Sequence, residues 1–121
     1  MKAVVLGSGG WGTALSMVLR DNGHETWLWS HHPDKAAQMA AERENPLLKG
    51  VRLPEELQIT GDLNCLEEAD MVVCAAPSFA VRETGRKIAP YLTEKTILVT
   101  VSKGIERDTN LRLSQVLRQE T

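Results

Sequence analysis

The chain has 121 residues, enough to bury one hydrophobic core, and we expect a single domain. Its 14 lysine and arginine residues nearly balance its 16 aspartate and glutamate residues, and the net charge is −2. Because acidic and basic residues are well mixed along the chain, we expect no basic surface stripe that would bind nucleic acid. Every apolar run is far shorter than a membrane-spanning helix, which needs about 20 residues. A strand pattern starts at Lys2, which leaves no room before it for a signal peptide.

The two cysteines, Cys65 and Cys74, have neither metal-ligand nor redox spacing, so no metal site is predicted. Cys74 lies inside a strand pattern and is most simply a small buried apolar residue. This cysteine usage is typical of a reducing compartment, and we expect a cytoplasmic protein.

The first predicted element is a largely apolar strand over Lys2–Leu6, typical of a parallel strand that is buried on both faces. Residues Gly7 to Gly12 follow it with the spacing G-x-G-x-x-G. They lead into a helix predicted over Trp11–Asn22, which Gly23 ends in the left-handed conformation. A strand, this spacing and a helix in succession predict a dinucleotide-binding loop, whereas the glycines alone would indicate only a flexible turn.

Each glycine of the loop has its own predicted role. Gly7 permits the tight turn out of the strand, and Gly9 lets the backbone approach a pyrophosphate. Gly12 allows the helix to pack closely on the sheet, and the phosphates bind free N–H groups at the positive end of the helix dipole. Trp11, at the helix start, either stacks over the cofactor or fills the core.

Strand and helix patterns alternate along the rest of the chain, interrupted by a looser segment over Glu44–Leu57. Asp62 and Ser78 are predicted N-caps. The repeated β-α-β units predict an α/β fold with a doubly wound parallel sheet in the strand order 3-2-1-4-5, and a ligand crevice at the carboxyl ends of strands 1 and 4. The predicted strands are Glu25–Ser30, Leu57–Thr60, Met71–Ala75 and Thr96–Val101, and the helices are Pro33–Arg43, Asp62–Ala69, Ser78–Ala89 and Asn110–Gln119.

Polar residues follow the second strand, at Ser30, His31 and His32. In a dinucleotide-binding domain an acidic residue at this point binds the ribose 2′-hydroxyl of NAD, and a basic residue binds the 2′-phosphate of NADP. Two histidines without a well-placed acid favour NADP or tolerance of both cofactors. A pair of exposed loop histidines explains His32 equally well.

Two further clusters follow strands four and five. Ala76, Pro77 and Ser78 either line the nicotinamide end of the crevice or simply end a strand and cap a helix, and we favour the second interpretation for the Ser78 side chain. Lys103 follows strand five, where it either pairs with a substrate phosphate or polarises a carbonyl, or is an ordinary loop lysine.

Together these motifs resemble the N-terminal domain of bacterial NAD(P)-dependent glycerol-3-phosphate dehydrogenases, over nearly the whole chain. The segment from Gly9 to Leu15 resembles the phosphate loop of that family, in which the tryptophan is unusual among dinucleotide-binding enzymes. The segment from Ser102 to Glu106 resembles its lysine-glycine-isoleucine-glutamate motif. Further matches in the same order are Gly23-His24-Glu25, Leu28-Trp29, Leu53-Pro54, Thr60-Gly61-Asp62-Leu63, Ala69-Asp70 and Ala76-Pro77-Ser78.

The resemblance implies a Rossmann-like fold and reversible hydride transfer between NAD(P)H and dihydroxyacetone phosphate, giving sn-glycerol 3-phosphate for phospholipid synthesis. It assigns Gly10, Trp11, His31 and His32 to the cofactor, and Lys103 to both cofactor and phosphorylated substrate. The predicted cofactor-binding set is Gly7, Gly9, Gly10, Trp11, Gly12, His31, His32 and Lys103.

The chain departs from the family pattern at two places. The family usually has arginine where His31 stands, so the charge facing a 2′-phosphate depends on pH. The family also favours a tyrosine-leucine-proline-glycine turn where this chain has Leu47-Leu48-Lys49-Gly50, which leaves a contact from this loop to the cofactor open.

In the family a helical C-terminal domain, which we expect beyond Thr121, carries the general acid/base lysine and most substrate contacts. We therefore expect no catalytic residue within these 121 residues, and we expect the chain to bind cofactor without efficient turnover. We also expect that the sheet lacks the sixth strand of a complete dinucleotide-binding domain. We then predict that two copies associate, either through the open edge at Thr96–Val101 or through the uncovered face of the domain. Two alternatives stay open: the domain of an enzyme related to ketopantoate reductase or phosphogluconate dehydrogenase, and a non-enzymatic dinucleotide sensor, which would need no Lys103.

Overall fold

The computed structural model describes residues 1–102 and 104–121, and its centre is a five-stranded parallel sheet. The strand order is β3-β2-β1-β4-β5, so the predicted doubly wound arrangement is confirmed. The strands are β1 (Lys2–Leu6), β2 (Glu25–Trp29), β3 (Gln58–Thr60), β4 (Met71–Cys74) and β5 (Ile97–Thr100). The main helices are α1 (Gly10–Asp21), α2 (Pro33–Glu42), α3 (Val81–Ile88) and α4 (Leu113–Glu120).

The sheet is buried on both faces because alternate side chains of its central strands enter different apolar clusters. In β1, Val4 and Leu6 join one cluster with Val72 and Ile88, whereas Val5 faces the opposite cluster. The helices α1 and α2 cover the side of Val5, and α3 covers the side of Val4. The chain turns from β3 back to the centre of the sheet, and this reversal leaves a crevice between the carboxyl ends of β1 and β4.

The first two helices begin and end close to their predicted bounds. Gly23, which follows α1, has a φ of +87° and donates its backbone N–H to the Arg20 carbonyl, as expected for a left-handed helix end. Pro33 is the first residue of α2, where its missing N–H costs nothing, and Arg43 ends that helix with a φ of 57°.

Three predicted helix boundaries were wrong. Ser78 does not cap a helix through its side chain: the chain forms a 3₁₀ turn over Ser78–Ala80, and α3 starts only at Val81. The predicted helix Asp62–Ala69 is a single 3₁₀ turn over Leu63–Leu66, although Asp62 does cap it by accepting a hydrogen bond from the Asn64 backbone N–H. The last helix starts at Leu113 rather than at Asn110, because Asp108 and Asn110 have φ angles of 75° and 58°.

The strands β3 and β5 form the two edges of the sheet. Ile97 of β5 is 58% exposed, and the other β5 residues are half-buried. Within the described ranges, no helix has the length and apolarity needed to cross a bilayer.

Candidate functional site

The glycine loop between β1 and α1 lies in the crevice, held there by contacts that leave no room for side chains. Gly7 has a φ of +121°, and a Cβ on it would lie 2.7 Å from the carbonyl oxygen of Ala75, at the end of β4. A Cβ on Gly12 would overlap the carbonyl oxygen of Gly7 and lie 3.3 Å from the Cβ of Ala75. The fold itself therefore requires glycine at both positions.

Gly9 differs from these two glycines. A Cβ added there would have no heavy atom within 4 Å, and the backbone has a φ of −66°, which any L-residue adopts. Gly9 is the N-cap of α1, has no side-chain cap, and lines the crevice. The fold does not need a glycine here, so the open space beside it is available to a ligand.

The crevice is a cavity of about 950 Å³. Its walls are the glycine loop, the ends of β2, β4 and β5, one side of α3, and single residues of α2 and of the looser segment, Lys35 and Leu47. Trp11 lines it and is 61% exposed, so this tryptophan does not fill the core. This size is within the range of sites for small molecules and cofactors.

Asn45 ties the looser segment to the glycine loop. Its side chain is buried, and its Nδ2 donates hydrogen bonds of 2.8 Å to the Ser8 carbonyl and to the Thr13 hydroxyl. Its Oδ1 accepts from the backbone N–H of Leu47 at 3.1 Å, which holds Leu47 over the start of α1. A Cβ on Gly10 would lie 2.9 Å from the Leu47 carbonyl oxygen. Glycine at this position therefore allows the backbone of Leu47 to lie close to α1, and it does not line the cavity.

Replacing Asn45 by alanine should destabilise the domain by about 2 kcal/mol, because it leaves a buried carbonyl and a buried hydroxyl without their donor. Urea unfolding monitored by circular dichroism measures this cost. The matched control is Asn64→Ala, at an exposed asparagine, which should cost less than about 0.5 kcal/mol. Equal costs for the two variants would mean that Asn45 does not hold the loop.

The carboxyl end of β2 is linked to the glycine loop through serines. The Ser8 hydroxyl donates to the Ser30 hydroxyl at 3.0 Å, and the Ser30 oxygen accepts from the backbone N–H of His32 at 3.3 Å. His31 lines the cavity, whereas His32 does not line it and stacks on His31 with ring centroids 3.9 Å apart. Slight desolvation, and then the nearby positive groups His32, Lys87 and Lys35, lower the pKa of His31 from its ordinary value, which favours its neutral form at pH 7.

At the carboxyl end of β4, Ala76, Pro77 and Ser78 all line the cavity. The Ser102 hydroxyl donates a hydrogen bond of 2.6 Å to the Ala76 carbonyl, which connects the end of β5 to this wall. Phe79 also lines the cavity and is 89% exposed, an unusual environment for a large apolar side chain.

The loop after β5 is held by an ion-pair network. Arg82 of α3 binds both carboxylate oxygens of Glu106 at 2.7 and 2.8 Å, and it also contacts Glu120 of α4 at 2.6 Å. Arg82 and then the Thr109 hydroxyl, through their hydrogen bonds, lower the pKa of Glu106 to about 2. Lys103, the predicted substrate-binding residue of this loop, lies outside the described residues.

Glu106→Gln should lower the melting temperature at pH 7, and the difference from the unmodified chain should shrink as the pH falls from about 4.5 towards 2. A carboxylate whose pKa is depressed in the folded state stabilises that state above its unfolded pKa, and this contribution disappears as the group is protonated. Thermal melts between pH 2 and 7 measure the effect. Glu94→Gln, at an exposed glutamate with no ion pair in the described part of the chain, should show no such convergence, and a pH-independent deficit for Glu106→Gln would contradict the account.

Several cavity residues were not identified from the sequence. These are Lys35, Leu47, Phe79, Glu83, Thr84 and Lys87. The only local signal was the helical spacing of Glu83, Thr84 and Lys87, which places them on one side of α3. No group of three or more potential metal-ligating side chains occurs among the residues that the structure describes.

The residues present fit a dinucleotide. The first turn of α1 presents N–H groups without helical partners, next to the space at Gly9, and an exposed aromatic ring borders the same cavity. Such a site can bind a pyrophosphate through backbone donors and leave its two nucleoside arms to reach the ends of β2 and β4.

Comparison with known proteins agrees with this geometry. A family model described as the N-terminus of NAD-dependent glycerol-3-phosphate dehydrogenase matches residues 2–121. The protein named glycerol-3-phosphate dehydrogenase (NAD(P)+) from Chlorobium luteolum is 44% identical over 99% of this chain and 37% of its own length. That from Bacillus subtilis is 40% identical over 98% of this chain and 35% of its own length. The chain thus spans little more than a third of these curated relatives.

Solved structures give the same result. The glycerol-3-phosphate dehydrogenase of Coxiella burnetii superposes with a TM-score of 0.90 at 32% identity, over 98% of this chain and 37% of that one. A ketopantoate reductase from Ralstonia eutropha reaches a TM-score of 0.77 at 20% identity, over 98% of this chain and 38% of that one, which indicates a shared fold alone. By sequence and by structure, this chain belongs to the family of NAD-dependent glycerol-3-phosphate dehydrogenases and corresponds to the N-terminal part of its members.

Proposed function

We propose that this chain holds NAD(P)(H) for a glycerol-3-phosphate dehydrogenase, with the pyrophosphate on the N–H groups at the start of α1. The observation that carries the proposal is the open space at Gly9, because the fold imposes no need for a glycine there and the position lines the cavity. The helix dipole and the free N–H groups of the first turn favour a negatively charged group at this point.

The two ends of the cavity suit the two nucleoside arms. We assign the adenosine arm to the end of β2, beside His31, and the nicotinamide arm to the end of β4, beside Ala76 and Ser78. Leu47, Trp11 and Phe79 supply apolar surface that excludes water around the bound cofactor.

In the proposed reaction NAD(P)H supplies a hydride to the carbonyl carbon of dihydroxyacetone phosphate, and a proton joins the carbonyl oxygen to give sn-glycerol 3-phosphate. The chain's contribution is to fix the cofactor in one orientation, since a misplacement of about 1 Å costs roughly 100-fold in rate. We assign Lys103 to the substrate phosphate and the cofactor, on the strength of its place in the lysine-glycine-isoleucine-glutamate motif. The general acid/base and most substrate contacts are proposed to come from the part of the protein outside these 121 residues, in keeping with the longer relatives.

Three finer points belong to the same proposal. We infer a role in supplying glycerol 3-phosphate for phospholipids, a cytoplasmic location, in keeping with the two free buried thiols, and association of two copies through the β5 edge. The edge position of β5 and the exposed Ile97 support the last point. Sedimentation that yields only monomer at high concentration would contradict it.

A tryptophan fluorescence titration tests the proposal. Because Trp11 borders the cavity and is 61% exposed, NADPH or NADH should quench its emission in a saturable manner. Trp11→Phe should reduce this change, with the remainder coming from Trp29, which lines the same cavity, and cofactor binding should stay detectable by calorimetry. Failure of both cofactors to bind the unmodified chain would overturn the proposed function.

A further inference from the structure

The adenosine end of the cavity carries two lysines that come from different helices. Lys35 lies in the first turn of α2, and Lys87 lies near the end of α3; both line the cavity together with His31. A second, shallower cavity opens beside the first one and shares Trp29, His31 and Lys87 with it. Positive groups therefore converge where the ribose of the adenosine arm is expected.

The two lysines differ in their partners. The Lys87 Nζ lies 3.5 Å from a carboxylate oxygen of Glu83, which also lines the cavity. Lys35 is half-buried, and within residues 1–102 and 104–121 it has no carboxylate at ion-pair distance. Lys35 is thus a cation at the cavity wall without a counter-charge, and a partly buried cation of this kind favours an anionic ligand.

His31 does not supply this charge at neutral pH. Slight desolvation and then the positive groups His32, Lys87 and Lys35 lower the pKa of His31. Glu83 of α3, which also faces it, acts in the opposite direction, and the net shift is downward. A mainly neutral His31 donates or accepts a hydrogen bond, but it does not balance a phosphate dianion. A lysine, in contrast, is ordinarily cationic at pH 7.

We propose that Lys35 binds the 2′-phosphate of NADP(H) and that it makes this chain select NADP(H) over NAD(H). Two acidic residues border this end of the site in the described part of the chain, and both are engaged elsewhere. Glu83 is paired with Lys87. The Asp62 carboxylate, in the second cavity, accepts hydrogen bonds from the backbone and side chain of Asn64, so neither acid is free to bind a ribose 2′-hydroxyl. This inference rests on the proposed function, because it names the form of cofactor that the same cavity takes.

Calorimetric titration of NADPH and of NADH into the unmodified chain and into Lys35→Met tests the inference. Methionine keeps most of the aliphatic stem and removes the charge. The dissociation constant for NADPH should rise about tenfold or more, as for the loss of one charge-assisted contact, while that for NADH changes by less than about twofold. Lys35→Arg keeps the positive charge and should retain the preference for NADPH. Lys35→Gln also removes the charge, and it should give the same result as Lys35→Met if the charge, rather than the packing of methionine, causes the loss.

The control is Lys95→Met, which removes the same charge from an exposed position at the other end of the sheet and should leave both affinities unchanged. An equal loss of affinity for NADPH and NADH in Lys35→Met and Lys35→Gln, or no loss for NADPH, would overturn the role of Lys35 while leaving the cofactor site intact. If the unmodified chain binds neither cofactor, the proposed function fails and the inference fails with it.

Discussion

Gly12→Ala is expected to destabilise the domain by about 3 kcal/mol or more, because the new methyl group overlaps the Gly7 carbonyl oxygen and meets the Cβ of Ala75. Both neighbours belong to the centre of the fold: Gly7 continues β1, and Ala75 continues β4. Because both neighbours are fixed to central strands, the new methyl group fits only if α1 moves away from the sheet. The close approach of helix and strand at Gly12 is therefore a requirement of folding, before any ligand is considered.

Thermal melting without cofactor measures this effect, and a decrease of at least about 10 °C is expected for a domain of this size. The matched control is Gly9→Ala, three residues earlier in the same loop. Its added methyl group meets no atom within 4 Å and its φ of −66° suits alanine, so its melting temperature should stay within a few degrees of the unmodified chain. Similar melting temperatures for Gly12→Ala and the unmodified chain would contradict the packing described here.

Gly9→Ala is expected to lower the affinity for NADPH and for NADH by at least about tenfold, although the fold is unchanged. The methyl group occupies the space through which the backbone would approach the pyrophosphate. Since both cofactors contain the same pyrophosphate, both affinities should fall by a similar factor. That pattern differs from the one expected for Lys35, where only the affinity for NADPH falls.

Calorimetry on Gly9→Ala, paired with its melting curve, separates this effect from misfolding. A variant that melts like the unmodified chain and binds both cofactors with unchanged affinity would show that the pyrophosphate does not lie beside Gly9. The two glycine variants thus test fold and function separately at neighbouring positions.

The order of the sheet could be predicted from the sequence because its signals are local. The central strands β1 and β4 are short apolar runs, each followed by a helix pattern, and a parallel β-α-β connection has only one common hand. The glycine spacing after β1 then located the crevice, since ligands bind outside the carboxyl ends of strands at the point where the strand order reverses.

Two of the three wrong boundaries involve 3₁₀ turns. Whether a serine caps a helix depends on the backbone angles of the residues after it, and Ser78 enters a 3₁₀ turn before α3 begins. A single 3₁₀ turn and a short helix also share nearly the same apolar spacing, so the Leu63–Leu66 turn was predicted as a longer helix.

The parts of the site that the sequence did not indicate depend on contacts between distant residues. Asn45 bonds to Ser8 and Thr13, which are 37 and 32 positions away. Lys35 and Lys87 belong to different helices and meet only because the sheet brings these helices to the same end of the cavity. No local sequence pattern predicts contacts between residues so far apart in the chain. Leu47 lines the cavity, but it lies in Leu47-Leu48-Lys49-Gly50, where the chain departs from the family pattern, and so its contact could not be predicted.

Backbone amide chemical shifts recorded during a titration with NADPH locate the bound dinucleotide residue by residue. We expect saturable shifts in three places: the glycine loop from Gly7 to Gly12, the β2 end at His31, and the turn over Ser78–Ala80. The amides at the opposite end of the sheet, such as those of Asp70 and Lys95, should not move. The absence of saturable shifts, or shifts centred on that opposite end, would contradict a dinucleotide site in this crevice.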